Sequence, residues 1–137
     1  MALSSNAKQL LASAPTCRIL VVGDLMVDEH IWGTTSRVSP EAPVLVVDVH
    51  NETLAPGGAA NVAQQLLALG ANVFVAGIVG RDNAGDDLLA FLDRSGADVS
   101  AVFKAGDRPT TRKTRVIAGS QQIVRVDREV RTPLASD

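Results

Sequence analysis

The chain alternates short apolar runs with longer segments of helical periodicity. Two runs, Ile19–Val22 and Val73–Ala76, are continuously apolar, which is typical of strands covered on both faces in a parallel sheet. Helical patterns follow at 59–69 and at about 84–95, and a glycine ends each before the chain enters another extended segment. This repeated strand-then-helix order predicts right-handed βαβ units and an α/β fold.

Two further regions show the alternation of apolar and polar residues that marks a half-exposed strand. They are Glu29–Gly33 with Val44–His50, and Thr111–Ile117 with Gln121–Asp127, the second pair turning at Gly119. One face of such strands contacts solvent or a ligand. We therefore expect a small antiparallel layer beside the main sheet.

Composition narrows the class of protein. Hydrophobic residues make up 46% and charged residues 20% of the 137 positions, which is typical of a soluble globular domain. No apolar run approaches the roughly 20 residues of a membrane span, and Cys17 has no partner for a disulfide within the chain. The net charge of -2 gives no reason to expect nucleic acid or a membrane surface. We expect a cytoplasmic protein, with residues 1–16 as a helical extension.

A glycine pair before the first long helix is the most informative motif. Gly57 and Gly58 carry no Cβ, so a ligand can approach their backbone closely. The first N–H groups of the following helix lack intrahelical partners and suit hydroxyl or phosphate oxygens. Asn61, in the first turn, can both donate and accept hydrogen bonds. A tight strand-to-helix turn with a capping Asn is the alternative, and the glycines alone do not decide between the two.

Asp28 is the strongest single candidate for ligand binding. It follows the first apolar strand, at the carboxyl end where open α/β sheets place ligands. Its carboxylate can accept hydrogen bonds from the hydroxyl groups of a ligand, although a plain turn aspartate remains the alternative. His30 and His50 lack the spacing of metal ligands, so no structural metal is expected.

Basic residues gather in and before the second alternating region, and their cations are able to bind an anionic group such as a phosphate. Lys113 and Arg115 are two positions apart and share a strand face. Gln122 and Arg125 lie on opposite faces of the next strand by alternation, so at most one of them should face a given pocket. The other candidate cations are Arg37, Arg108 and Arg112. A solvated edge strand is an equal alternative, and nucleic-acid binding a weaker one because no aromatic residues interleave.

The spaced pattern of 57–63, followed by Gly70 and Gly80, resembles the N-terminal signature of the ribokinase/PfkB carbohydrate kinases. Further segments resemble one branch of that family, the kinases of ADP-heptose biosynthesis that act on D-glycero-D-manno-heptose 7-phosphate. The most specific reads Ser-Arg-Val-Ser-Pro-Glu-Ala-Pro-Val at 36–44. The resemblance covers about residues 17–130.

The resemblance implies a ribokinase-like three-layer α/β/α sheet with a small antiparallel β lid, formed by about 29–50 and 111–127. It implies a phosphorylated sugar as substrate, ATP and Mg²⁺ as cofactors, and a homodimer that pairs through the lid. The substrate-binding residues it implies, together with the cation argument, are Asp28, Gly57, Gly58, Asn61, Arg37, Lys113, Arg115 and Gln122.

The family's Gly-Ala-Gly-Asp motif, which supplies the catalytic base, is not matched in place. Asn83-Ala84-Gly85-Asp86 imitates it, but we interpret this segment as a strand-to-helix turn that Asp82 caps. We therefore expect residues 1–137 to be the N-terminal, sugar-binding part of such a kinase, with no catalytic residue and with the ATP-binding part absent. Another sugar or nucleoside kinase of the family, or a non-catalytic sugar-binding or dimerisation module, remains the alternative.

Overall fold

A computed structural model describes residues 4–133, so residues 1–3 of the predicted extension lie outside it. The elements, in chain order, are α1 (Ser5–Ser13), a 3₁₀ turn (Ala14–Thr16), β1 (Arg18–Val22), β2 (Leu25–Val38), β3 (Leu45–Gly58), α2 (Ala59–Ala68), β4 (Asn72–Gly80), α3 (Asn83–Arg94), β5 (Asp98–Ala105), β6 (Thr111–Ala118) and β7 (Gln121–Arg128). Both long helices and both apolar strands lie where the pattern predicts them.

The main sheet is parallel and three-stranded, in the order β1-β4-β5. Gly70 and Gly96, which follow α2 and α3, have φ of +88° and +98°, so glycine ends both helices in the left-handed region as predicted. Among the described residues both helices pack on one face of this sheet. The buried core between them comprises Val21, Ala60, Ala63, Val73, Val75, Val79, Leu88 and Leu92.

The second sheet has four strands in the order β3-β2-β6-β7, and we call it the lid sheet. Its two outer pairs are antiparallel, as predicted, but β2 and β6 pair in parallel, so the layer is mixed. The reason is that β2 leaves β1 and β6 leaves β5 at the same end of the main sheet. Parallel neighbours need a long crossover, and residues 59–110 provide it.

The strands β2 and β3 are 14 residues each, much longer than the predicted segments. Register runs from Leu25 opposite Gly58 to Val38 opposite Leu45, with a bulge after Trp32 and another after Thr35. Alternation does not reveal the first part of β2 because Leu25, Met26 and Val27 are all apolar, and it fails further along because polar residues occupy both faces from Asp28 onward. The glycine pair is therefore the last part of a strand and not a free loop.

Candidate functional site

The end of β3 brings the glycine pair directly against β2. A Cβ atom added to Gly57 would lie 2.5 Å from Oδ2 of Asp28 and 2.8 Å from Cγ of Met26. Gly58 has a φ of +56°, and a Cβ there would lie 2.5 Å from the carbonyl oxygen of Asp24. That same oxygen accepts a hydrogen bond from the N–H of Ala59 at 2.9 Å. The missing side chains thus hold the bare main chain beside the Asp28 carboxylate.

Parallel pairing of β2 with β6 brings a cation to this carboxylate. Asp28 lies level with Lys113 in the register, and the guanidinium of Arg115 donates a hydrogen bond to Oδ1 of Asp28. Both side chains are about a quarter exposed, at 26% for Asp28 and 28% for Arg115. A partly exposed pair contributes little stability on its own. Its effect is orientation, since it fixes one carboxylate oxygen and leaves the other toward Gly57.

Lys113 is the most enclosed cation of the site, with only 11% of its side chain exposed. Its ammonium donates to Asp127 at 3.3 Å and also to Glu129. The bond to Glu129 raises the pKa of Lys113 above its usual value, and Asp127 adds to this. The same bond, with one from Arg131, lowers the pKa of Glu129. Both partners of Lys113 are therefore ionised near neutral pH.

These contacts form one charged network across the lid sheet, because the guanidinium of Arg115 also donates a hydrogen bond to the carbonyl oxygen of Lys113 at 3.4 Å. Arg115 and Arg125 face each other in the register, and each is neutralised by a different aspartate. The hydrogen bonds from Arg125 are the main cause that lowers the pKa of Asp127. The network comprises the cations Lys113, Arg115, Arg125 and Arg131 and the carboxylates Asp28, Asp127 and Glu129. With four cations and three carboxylates it carries one excess positive charge, which favours an anionic ligand.

A cavity of about 570 Å³ adjoins this network at the carboxyl ends of β1 and β4. Open α/β sheets bind ligands at this end of their strands. Met26 lines the cavity and also contacts the glycine pair, so cavity and network form one continuous surface. Its other lining residues include Gly23, Asp24, Gly77, Arg108, Thr111, Glu129 and Arg131.

Sequence reasoning missed Met26 and Glu129 as parts of this surface. The signal for Met26 was available, because it is two residues before Asp28 and shares its strand face. Glu129 follows the predicted hairpin, and no local pattern connects it with Lys113.

The remaining predicted residues lie apart from this network. Asn61 is exposed in the first turn of α2, and its carbonyl oxygen accepts a hydrogen bond from Gln65 at 3.5 Å. Arg37 pairs with Asp48 at 3.6 Å near the far end of β2, and nine strand residues from Asp28 span up to about 30 Å. Gln122 lies opposite Ile117, where a bulge breaks the alternation we used to place it.

Arg112 lies on the opposite face of β6 from Lys113, where it pairs with Glu29 at 3.5 Å. It is therefore separated from the Asp28 surface by the sheet itself. Within residues 4–133 no group of three or more His, Cys, Asp or Glu is placed to hold a metal ion. Over the same range, no helix has both the length and the apolar character needed to cross a membrane.

Comparison with known proteins shows which family of proteins this chain is similar to. The profile of the pfkB family carbohydrate kinases matches residues 17–135. The bifunctional protein HldE of Trichlorobacter lovleyi is 55% identical over 128 residues, which is 93% of this chain and 26% of that protein. The protein of the same name from Helicobacter hepaticus is 55% identical over 119 residues, covering 87% of this chain and 25% of its own length. The chain thus spans about a quarter of the length of these relatives.

Solved structures show the same fold at low sequence identity. Ribokinase from Cryptococcus neoformans, solved in complex with ADP, superposes with a TM-score of 0.66 at 22% identity, over 88% of this chain and 37% of that one. Arabidopsis thaliana ribokinase, solved with ribose and ATP, gives 0.66 at 18% identity, over 81% and 35%. The ribokinase-like α/β fold predicted from the sequence is confirmed.

Proposed function

The chain belongs to the pfkB family of carbohydrate kinases, and from this premise we propose that it binds the phosphorylated sugar of an ATP-dependent kinase. The substrate we propose is D-glycero-D-manno-heptose 7-phosphate, phosphorylated at its anomeric hydroxyl. Relatives named HldE, at about half identity over most of the chain, and the branch-like segment at 36–44 support this choice over other members of the family.

One observation carries the proposal: a carboxylate, a bare main chain and two cations share one face of the lid sheet. Asp28 contacts Gly57 on one side and Arg115 on the other, and Lys113 is on the same face of β6. A sugar without a phosphate offers no anion for these cations to bind. A phosphorylated sugar presents hydroxyls to the carboxylate and an anion to the guanidinium, which matches phosphate oxygens in bidentate fashion.

Each residue has a distinct role in this proposal. Asp28 accepts hydrogen bonds from sugar hydroxyls, and Gly57 and Gly58 let the sugar approach the main chain. Asn61 completes the hydroxyl contacts from the first turn of α2. Arg115 and Lys113 bind the phosphate, in competition with Asp28 and Glu129.

Arg37 and Gln122 remain proposed contacts, with a condition attached to each. Arg37 reaches the sugar only if the distal part of the lid sheet folds over the Asp28 surface. That lid sheet is either its own or the one of a second copy. Gln122 requires the bulge in β7 to turn its amide toward the network.

The chemical step needs groups that residues 4–133 are not proposed to supply. The donor is ATP with Mg²⁺, which ordinarily relies on one or two carboxylates together with phosphate oxygens. This chain's contribution is to bind and orient the sugar and, through the lid sheet, to exclude water from it.

We further propose that the lid sheet pairs with that of a second copy. Its distal strands expose apolar side chains that a partner would cover, namely Val44, Leu45, Val49, Leu54, Val124 and Val126. Sedimentation velocity over a range of concentrations should show a dimer of the full-length protein, and Val124→Asp with Val126→Asp should shift it to monomer. A dimer unaffected by both changes would place the interface elsewhere.

Calorimetric titration tests the substrate directly. The full-length protein that carries this chain should bind the heptose 7-phosphate at least tenfold more tightly than the unphosphorylated heptose, because a charge-assisted hydrogen bond contributes about 1.5–3 kcal/mol. Asp28→Asn should weaken binding by about 10- to 150-fold and lower ADP formation in parallel. Asp86→Asn removes a carboxylate that pairs with the exposed Lys104, away from the proposed site, and should change neither.

Equal affinity for the phosphorylated and unphosphorylated sugars would refute the assignment of the cations. Unchanged turnover in Asp28→Asn would remove Asp28 from the site.

A further inference from the structure

Asp82 does more than cap the helix that follows it. As a cap, its Oδ1 accepts a hydrogen bond from the N–H of Gly85 at 2.9 Å. Both carboxylate oxygens also bind Thr110, a residue 28 positions away: Oδ1 accepts from the hydroxyl at 2.6 Å and Oδ2 from the N–H at 2.9 Å. The Thr110 hydroxyl in turn accepts from the N–H of Gly80 at 2.9 Å. A helix cap requires only the first of these bonds.

Two glycines form a notch that fits the backbone around Thr110. A Cβ at Gly80 would lie 2.5 Å from the N of Thr110 and 2.7 Å from the carbonyl carbon of Pro109. A Cβ at Gly85 would lie 2.7 Å from the Thr110 hydroxyl oxygen. Thr110 itself is only 2% exposed. These contacts, which we call the Thr110 lock, therefore hold the β4–α3 turn and the start of β6 together. Neither segment has space to shift relative to the other.

The segment that the Thr110 lock holds in place, residues 108–115, is part of the candidate site. Arg108, Pro109 and Thr111 line the cavity, and Lys113 and Arg115 follow on β6. Side chains alternate along a strand, so a shift of β6 by a single residue would turn both cations to the other face of the sheet. The position of Thr110 thus decides whether the guanidinium of Arg115 reaches Asp28.

We infer that Asp82 and Thr110 are a positioning pair, which fixes the cavity wall and sets β6 so that its cations face the phosphorylated sugar. The inference rests on the proposed function for its substrate, but its geometry is independent of it. The electrostatics agree with this role. Burial alone would raise the pKa of Asp82, yet hydrogen bonds from Thr110 and Gly85 lower it overall, so the carboxylate stays ionised and accepts all three bonds.

The decisive variants change one bond at a time. Thr110→Val keeps the shape but removes the hydroxyl, which leaves the Gly80 N–H without its acceptor. Thr110→Ser keeps the hydroxyl and should behave like the wild type. Asp82→Asn keeps the cap but sets an amide N–H₂ against the Thr110 N–H. Asp98→Asn is the matched control, because Asp98 also accepts a backbone N–H, from Ser100 at 2.9 Å, but lies on an exposed strand end.

Two measurements on the full-length protein separate positioning from simple capping. Hydrogen exchange of the β6 amides should accelerate about tenfold in Thr110→Val and Asp82→Asn, and not in Asp98→Asn. The KM for the heptose 7-phosphate should rise about tenfold with kcat changed less than threefold. Thr110→Ser, which keeps the hydroxyl, should show neither effect.

Faster exchange confined to the first turn of α3, with KM unchanged, would overturn the inference and leave Asp82 as a cap alone. The exchange experiment needs no substrate. It therefore tests the lock even if the heptose phosphate proves not to bind, an outcome that would refute the proposed function and not the positioning pair. Should Thr110→Val fail to fold, the Asp82→Asn and Thr110→Ser pair supplies the same comparison.

Discussion

At the scale of single residues, Gly57 is a position in the site that has no room for a side chain. An alanine there would place its Cβ 2.5 Å from Oδ2 of Asp28, so either the carboxylate or the end of β3 must move. We expect Gly57→Ala to cost about 1–3 kcal/mol of unfolding free energy, which is usual for overpacking, and to weaken phosphosugar binding at least tenfold. Urea denaturation and calorimetric titration measure the two effects.

Gly106→Ala provides the matched control for this experiment. The nearest atom to a Cβ at Gly106 is Cδ of Arg81 at 3.9 Å, an ordinary contact, so both stability and affinity should stay near wild type. If Gly57→Ala binds the sugar as tightly as the control does, the Asp28 carboxylate can move to accommodate the added methyl group. The close packing of Asp28 on the main chain would then not be needed for sugar binding.

The sequence permits the prediction of individual site residues but not of their partners. Asp28 and the glycines stand out because a carboxylate after an apolar strand and a glycine pair before a helix have local physical reasons to be there. The partner of Asp28 is 87 positions away. Only the parallel pairing of β2 with β6 brings Arg115 to it, and no periodicity within either strand encodes that pairing.

At the scale of elements, the β6–β7 hairpin should make the stability of the protein depend on pH. Pairing with Lys113 lowers the pKa of Glu129, and pairing with Arg125 and Lys113 lowers that of Asp127. A carboxylate whose pKa is lower in the folded state stabilises it above the unfolded pKa, and this stabilisation is lost as pH falls. The loss should therefore occur below about pH 4.

Lys113→Met isolates the contribution of the ammonium. At pH 7 the variant should be clearly less stable than wild type, because two carboxylates then lose their shared cation. The difference should be smaller at pH 3, which is below the unfolded-state pKa of both carboxylates. Urea denaturation at the two pH values measures this, with Lys104→Met as control because Lys104 forms an exposed pair with Asp86 at 2.6 Å. A difference that is constant with pH would mean that Lys113 stabilises the hairpin through its aliphatic stem alone.

The same hairpin shows where element-level prediction stops. Alternation of residue types correctly identified both of its strands and the turn at Gly119. It could not reveal the bulge opposite Val116 and Ile117, since an extra residue in a polar strand leaves no mark on the pattern. Gln122 lies at that bulge, and for this reason its direction could not be read from its position in the sequence.

At the scale of the whole molecule, the order of strands and helices was sufficient to predict an α/β fold, and the resemblance supplied the lid. The relation between the two sheets was not predictable from the pattern, because it depends on close packing at Gly80 and Gly85 and on the buried Thr110. Such contacts join segments that are about thirty residues apart.

The main sheet presents an apolar face that the described residues do not cover. Leu20, Val22 and Phe103 are 59%, 71% and 72% exposed, and the register places them on the side opposite to α2 and α3. Exposed apolar area of this kind drives association.

The chain expressed alone should self-associate, and changing Leu20, Val22 and Phe103 together to Ser should increase its monomeric fraction in light scattering without loss of helical circular dichroism. Leu10→Ser is the control, because Leu10 is equally exposed at 72% but lies on α1. A monomeric wild-type chain would refute this prediction, and equal improvement from Leu10→Ser would show that the association is not specific to this face.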